Sequence, residues 1–359
     1  MERAARMNAS KCPPLASSLA LAALLTAPMA ALGCKDRVAD ADDTSPQPEW
    51  TILGESLPGA LLSVTGRARD DVWTVGGDDG EGPLVLHLDG EGWTRVSPES
   101  PGDLWWVWLG DGHVWTVGAA GRVLRLDPID HIKVMEESLG ASITLFGVWG
   151  ASEDEVWVVG GDTNVSSNGA IVGRYRPDHG WDYPPIPESA AAQIAVYKVW
   201  GRSADEVYAV GTGGVILRWD GVAWASMDSP TDRTLFTVNG TADTLYAVGS
   251  SGTGLLLRND GAAWLDVTPE FAPQQNGVSA RAGCPAASVG LQTVLLREVD
   301  DEWVEDPRGV ARIGADFHAV WVDEGCGAWG AGGTIMSFPL TDGVLAYAGD
   351  DPPPAIPPL

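Results

Sequence analysis

Apolar and polar positions along this chain recur in blocks. The clearest block runs Val199-Trp200-Gly201, then Asp205-Glu206-Val207-Tyr208-Ala209-Val210-Gly211, then Val215-Ile216-Leu217-Arg218-Trp219-Asp220-Gly221, then Trp224. The glycine that ends the second apolar run returns at Gly76, Gly118, Gly160, Gly211, Gly249, Gly290 and Gly330, a period of about 42 residues. Each block holds four short runs of β-branched, aromatic and aliphatic residues, and no long stretch carries a 3.6-residue helical period. Asp-Gly pairs at 89–90, 220–221 and 260–261 sit between the third and fourth runs, where a hairpin needs residues that tolerate positive φ. The pattern predicts an all-β chain folded as a seven-bladed β-propeller with four-stranded blades.

Within a blade the strands, A to D from the axis outward, read directly. Leu145–Trp149 and Leu235–Val238 are A strands; Val72–Val75, Val114–Val117 and Val156–Val159 are B strands. Leu84–Leu88 and Leu255–Arg258 are C strands, and D strands start at Trp93, Trp181, Trp224, Trp264 and Trp303. Trp50-Thr51 is followed by Pro58-Gly59 just as Trp93-Thr94 is followed by Pro101-Gly102, so residues 49–53 read as a D strand with no blade of its own. The seventh unit ends in Thr334–Phe338 without a D-type tryptophan. Residues 49–53 are therefore expected to complete blade seven and close the ring, with 344–347 as the alternative for that strand.

The flanks have a different composition. Residues 1–14 carry three basic side chains, and an apolar run follows from Leu15 to Leu32, the layout of a signal peptide over residues 1–33. The run ends in Ala31-Leu32-Gly33-Cys34, which resembles the lipobox of bacterial lipoproteins, with Ala31 where leucine is usual. The resemblance implies a lipid, palmitate included, on Cys34, and Lys35 after it implies the outer membrane. Residues 34–48 are polar and proline-containing and read as a flexible tether, the propeller is expected over 49–348, and 349–359 as a disordered Pro-rich tail. Of the four cysteines, Cys12 leaves with the signal and Cys34 takes the lipid. Cys284 and Cys326 remain as one expected disulfide, or as two buried thiols.

Charge narrows the partners. With 22 Lys+Arg against 49 Asp+Glu, the surface repels phosphate backbones, so nucleic acid is excluded and a basic partner, cations, or simple solubility remain. The Val-Trp-Gly…Asp-Val-Trp…Val-Gly…Asp-Gly-x-x-Trp units resemble the WG/BNR-like (kelch-like) tandem-repeat β-propeller lipoproteins of Gram-negative bacteria, over about residues 49–340. The resemblance implies architecture and an envelope address; it does not imply an activity.

Arg125, Arg218, Arg258 and Arg297, with His87, fill one repeat position in strand C, so they are read as structural, paired with a carboxylate or stacked on a D-strand tryptophan of their own blade. The contrary reading is a sialidase-like arginine set. None of the five histidines has metal-ligand spacing, there is no G-x-S-x-G elbow, and no catalytic residue or metal ligand is assigned. Asp78-Asp79-Gly80-Glu81 reads as a solvated acidic turn, with a Ca2+ site as the alternative. Trp73, Trp115 and Trp157, like Trp108, Trp149, Trp200 and Trp321, recur at fixed positions and read as core between blades, whereas Trp105 and Trp106 break the pattern and are candidates for exposure. Connections vary in length at 97–103, 136–141, 187–195, 228–234 and 268–277 (D to A) and at 78–83 and 161–170 (B to C). All lie on one face, where recognition is expected, with Trp105, Trp106, Asp78, Asp79, Asp162 and Asn164 as candidate binding residues. The favoured reading is a non-catalytic, lipid-anchored binding or scaffold propeller for an envelope protein or glycan. A glycoside hydrolase or lyase of sialidase-like type and an outer-membrane assembly lipoprotein are the rivals.

Overall fold

The computed structural model describes residues 50–306 and 315–359; the expected signal peptide (1–33), Cys34 and the tether (34–48) lie outside the described residues. Seven four-stranded antiparallel sheets form a β-propeller. Blade one is Leu61–Ala68, Asp71–Asp78, Pro83–Leu88 and Trp93–Arg95, and blades two to six repeat that order along the chain. Blade seven takes strands A to C from Asp316–Val322, Ala328–Thr334 and Thr341–Ala348, and strand D from Thr51–Leu57. The N-terminal strand thus closes the ring, and both segments weighed for closure are used, 344–347 as part of strand C. Of Thr334–Phe338, expected as the last strand of the seventh unit, Thr334 ends strand B and the rest lies in the B–C connection.

The anchor glycines have a steric cause. Gly76, Gly118, Gly211, Gly249 and Gly290 each pair with the first residue of strand A, and Gly160 pairs with the second, Leu145. A Cβ there would overlap the carbonyl oxygen of the preceding residue, for example Asp103 at Gly118 and Gln274 at Gly290. Their backbone is extended (φ −171° at Gly118), so close approach and not positive φ excludes a side chain. In blade seven this place belongs to Gly332, opposite Phe317 and against the carbonyl of Asp316. Gly330, the expected anchor, instead lies under the Phe317 ring, so the sequence repeat is out of step there by two residues.

The core lies within and between blades. Val64, Val107, Val148, Val199, Val238, Val278 and Val320 occupy one position of strand A in all seven blades, and all are buried; each contributes about 1.5–3 kcal/mol of transfer free energy. Indoles join neighbouring sheets. Trp224 of blade four packs on Trp157 of blade three (5.1 Å between ring centres), and Trp303 of blade six on Tyr246 of blade five (5.6 Å). Trp108, Trp149 and Trp321 lean on Gly150, Gly201 and Gly66 of the following blade, where a Cβ would come within 2.6–2.9 Å of the indole.

Two of the C-strand cations, Arg258 and Arg297, pair with carboxylates of their own blades as expected, and Arg125 departs from that pattern. Arg125 lies over Trp115 of its own strand B (5.4 Å), not over a D-strand tryptophan. Arg258 binds Asp260, and also Glu298 and Asp301 of the next blade. Arg297 pairs with Asp306. Blade three has its own member, Arg174, unnoticed in the sequence, which binds Asp182 at 2.7 Å and covers both Trp157 and Trp219. These arginines are distributed around the ring, one to a blade, and do not converge as a triad.

The segment 349–359, expected to be disordered, lies against blades seven and one: the Ile356 amide donates to the Leu53 carbonyl (2.6 Å), and the Trp93 indole N–H donates to the Pro354 carbonyl (2.8 Å). Its prolines hold an extended backbone, and Ile356 has an apolar surface to cover. Residues 136–138, taken as part of a loop, belong to the outer strand Lys133–Ser138. Cys284 and Cys326 are joined in a disulfide (Cα–Cα 5.2 Å) between the A–B turns of blades six and seven.

Candidate functional site

Every A strand has a β-bulge directly after its anchor pair, so one residue per blade is left unpaired and turned into the mouth of the channel. Around the ring these residues are Leu62, Trp105, Phe146, Tyr197, Phe236, Asn276 and His318. They form a collar at the end of the channel that carries the D–A and B–C connections. Four aromatic rings follow one another, Trp105 to Phe146 (5.1 Å), Phe146 to Tyr197 (5.0 Å) and Tyr197 to Phe236 (5.7 Å), in tilted or edge-on contact. Trp105 also meets His318 of blade seven at 5.6 Å, bypassing blade one. The four rings remain partly exposed. On the same face Phe271 (88% exposed), Phe338 (74%) and Met336 (65%) stand in the connecting loops.

Two expected binding residues part company here. Trp105 joins the collar, as a partly exposed ring. Trp106, one residue on, regains the pairing register and points down the channel, where the Lys198 ammonium sits 3.0 Å from its ring centre and donates to the Phe146 carbonyl (3.0 Å). The acidic candidates serve the loops. Asp78 accepts the backbone N–H groups of Gly80, Gly82 and Gly102, which tie the B–C turn to the D–A connection and hold its carboxyl below the usual range. Asp79 binds Arg95 (2.8 Å). Asp162 accepts from the Asn164 amide in the blade-three B–C loop. Among the described residues no three metal-ligating side chains converge.

Sequence reasoning missed Phe146, Tyr197, Phe236 and His318, because a strand read with period two gives no sign of a bulge. It also missed a pairing across blades: His87 touches His131 (2.9 Å between Nδ1 and Nε2) and Asp71 (3.1 Å), with its ring stacked on Trp73. If His87 donates to Asp71 from Nε2, its Nδ1 accepts from His131, so a single neutral tautomer of each ring satisfies the chain.

His318 couples the collar to pH. Burial, reinforced by the nearby Lys198 charge, pushes its pKa down to about 4, against a hydrogen bond from its Nδ1 to the Leu62 carbonyl. Below the ordinary histidine value of 6.5 the unfolded chain takes up a proton that the folded chain refuses until about pH 4. Stability therefore falls as pH drops through that window, by up to about 3 kcal/mol. Chemical denaturation at pH 7 and pH 4 should show a smaller acid loss in His318→Gln than in the wild type; equal losses would place the titration elsewhere.

The fold is shared with proteins of diverse function. A catalytically inactive virginiamycin B lyase from Staphylococcus aureus, solved with quinupristin, superposes with a TM-score of 0.65 at 16% identity, covering 83% of this chain and 99% of that one. The WD40 repeats of RRP9 superpose with a TM-score of 0.64 at 8% identity, over 83% and 97% of the two chains. No protein-family model matches the chain. In sequence, 75 residues are 37% identical to the immune protein Tsi7 of Pseudomonas aeruginosa, which is 21% of this chain and about a quarter (24%) of that protein's length. At these identities the structural likenesses establish the β-propeller and nothing finer.

Proposed function

We propose that this chain is a non-catalytic binding module, held at the cell envelope by a lipid on Cys34, whose loop-bearing face docks a protein with a basic surface. The observation that carries the reading is the collar: four contiguous, partly exposed aromatic rings at the centre of one face, with Phe271, Phe338 and Met336 exposed in the loops of that face. An aromatic centre within a polar rim is the anatomy of a protein interface hot spot. The formal charge of −27 favours a basic partner and speeds its encounter. The short sequence likeness to an immune protein supports a protein partner over a glycan.

The test is crosslinking and capture from envelope membranes, with the Cys34→Ser chain as a control that should move to the soluble fraction. The paired substitutions Phe271→Asp and Phe338→Asp should weaken capture about thirtyfold, the loss expected when hot-spot contacts worth about 2 kcal/mol are removed. Ile129→Asp, an exposed site (89%) on the opposite face, should leave capture unchanged. Equal losses from both faces would overturn the assignment, and binding to glycans but to no protein would move the reading to carbohydrate.

A further inference from the structure

Beneath the collar, toward the A–B turns, lies a cavity of about 250 Å³. Five indoles, those of Trp106, Trp108, Trp149, Trp200 and Trp321, line it among the strand-A valines. Two cations reach it. Lys198 enters from strand A of blade four and is 3% exposed, and Arg281 enters from the A–B turn of blade six. No carboxylate lines the cavity, although Asp and Glu outnumber Lys and Arg by 49 to 22 in this chain. Among the described residues neither cation has an ion-pair partner; Lys198 has only the Phe146 carbonyl and the face of Trp106.

A buried ammonium without a counter-charge is costly, and Arg174, Arg258 and Arg297 elsewhere in this protein each have carboxylate partners. Here the compensating charge is missing from the protein itself, in a cavity with flat aromatic walls and with Asn239, Ser279 and Thr65 as further polar groups. We propose that this cavity binds a small aromatic carboxylate, its ring between the indoles and its carboxylate between Lys198 and Arg281. The volume, below the about 300–1,000 Å³ of sites for drug-sized ligands, restricts it to about one ring and one acid group. Burial lowers the Lys198 pKa well below its ordinary value, and a bound carboxylate would favour its charged form. This site is separate from the loop-bearing face, so either proposal stands or falls without the other.

The probes are benzoate and its neutral counterpart benzamide, titrated into the full chain while indole fluorescence is followed. Benzoate is expected to quench saturably and to bind at least about tenfold tighter than benzamide, the difference expected of a charge-assisted contact. Lys198→Met and Arg281→Gln should each weaken benzoate about tenfold and leave benzamide unchanged. Should Lys198→Met fail to fold by circular dichroism, Arg281→Gln, at a partly exposed turn, decides the matter alone. Equal binding of the two probes, undiminished benzoate binding by Arg281→Gln, or no saturable quenching by benzoate at millimolar concentration would each overturn the proposal.

Discussion

Trp157→Ala should destabilise the propeller by about 3–5 kcal/mol, the range for truncating a fully buried indole. Trp157 has no exposed surface and lies at the seam of two blades, tilted against Trp219 (5.0 Å) and edge-on to Trp224 (5.1 Å), both in blade four. The Arg174 guanidinium lies over both Trp157 and Trp219, fixed there by two hydrogen bonds to Asp182. Truncation therefore removes the packing between two sheets and the aromatic face beneath a cation. The hydrogen-bonded sheets on either side cannot close the gap, so the loss should fall in the upper half of the range. Urea denaturation of Trp157→Ala and of Val222→Ala, at an exposed turn (83%), provides the comparison; the second should stay within about 0.5 kcal/mol of wild type. A loss below about 1 kcal/mol at Trp157 would mean that the blades are held by their backbone ladders and not by inter-blade indoles.

Removing the Cys284–Cys326 disulfide should cost about 4 kcal/mol, by the loop-closure entropy of a crosslink spanning 42 residues. Blade seven is the only blade assembled from both ends of the described chain, with strand Thr51–Leu57 paired to Thr341–Ala348 across a long sequence separation. The disulfide fixes blade seven to blade six and limits how far the closing seam can open. The Cys284→Ser/Cys326→Ser chain should unfold at a lower urea concentration, and wild type treated with reductant should match it. Coincident curves for oxidised wild type and the double variant would show that packing alone holds that seam.

What could be read from the sequence was local or repeated. Strands B and C announce themselves because they are apolar on both faces, as in Val72–Val75 and Leu84–Leu88, and because Asp-Gly turns follow. Closure by residues 49–53 was legible because Trp50 and Pro58 copy the spacing of Trp93 and Pro101. Blade seven was misread where the repeat slips: the anchor role passed to Gly332, and Ile335–Leu340 became a loop, because glycine and alanine are so frequent between 327 and 333 that no residue type marks the register.

The collar and the cavity beneath it were decided only in three dimensions. Trp105, Phe146, Tyr197 and Phe236 sit about 40–50 residues apart and meet because seven bulges point at one axis. Trp105 and Trp106 look equivalent in the sequence, yet a single unpaired residue sends one to the face and the other down the channel beside Lys198. The sequence by itself determined the repeat, the seven blades and the closing strand, since hydrophobic period and turn chemistry act over a few residues. Tertiary structure alone decided which side chains share the axis and which cations lack a counter-charge there, because those properties belong to the convergence of seven strands and to no single one.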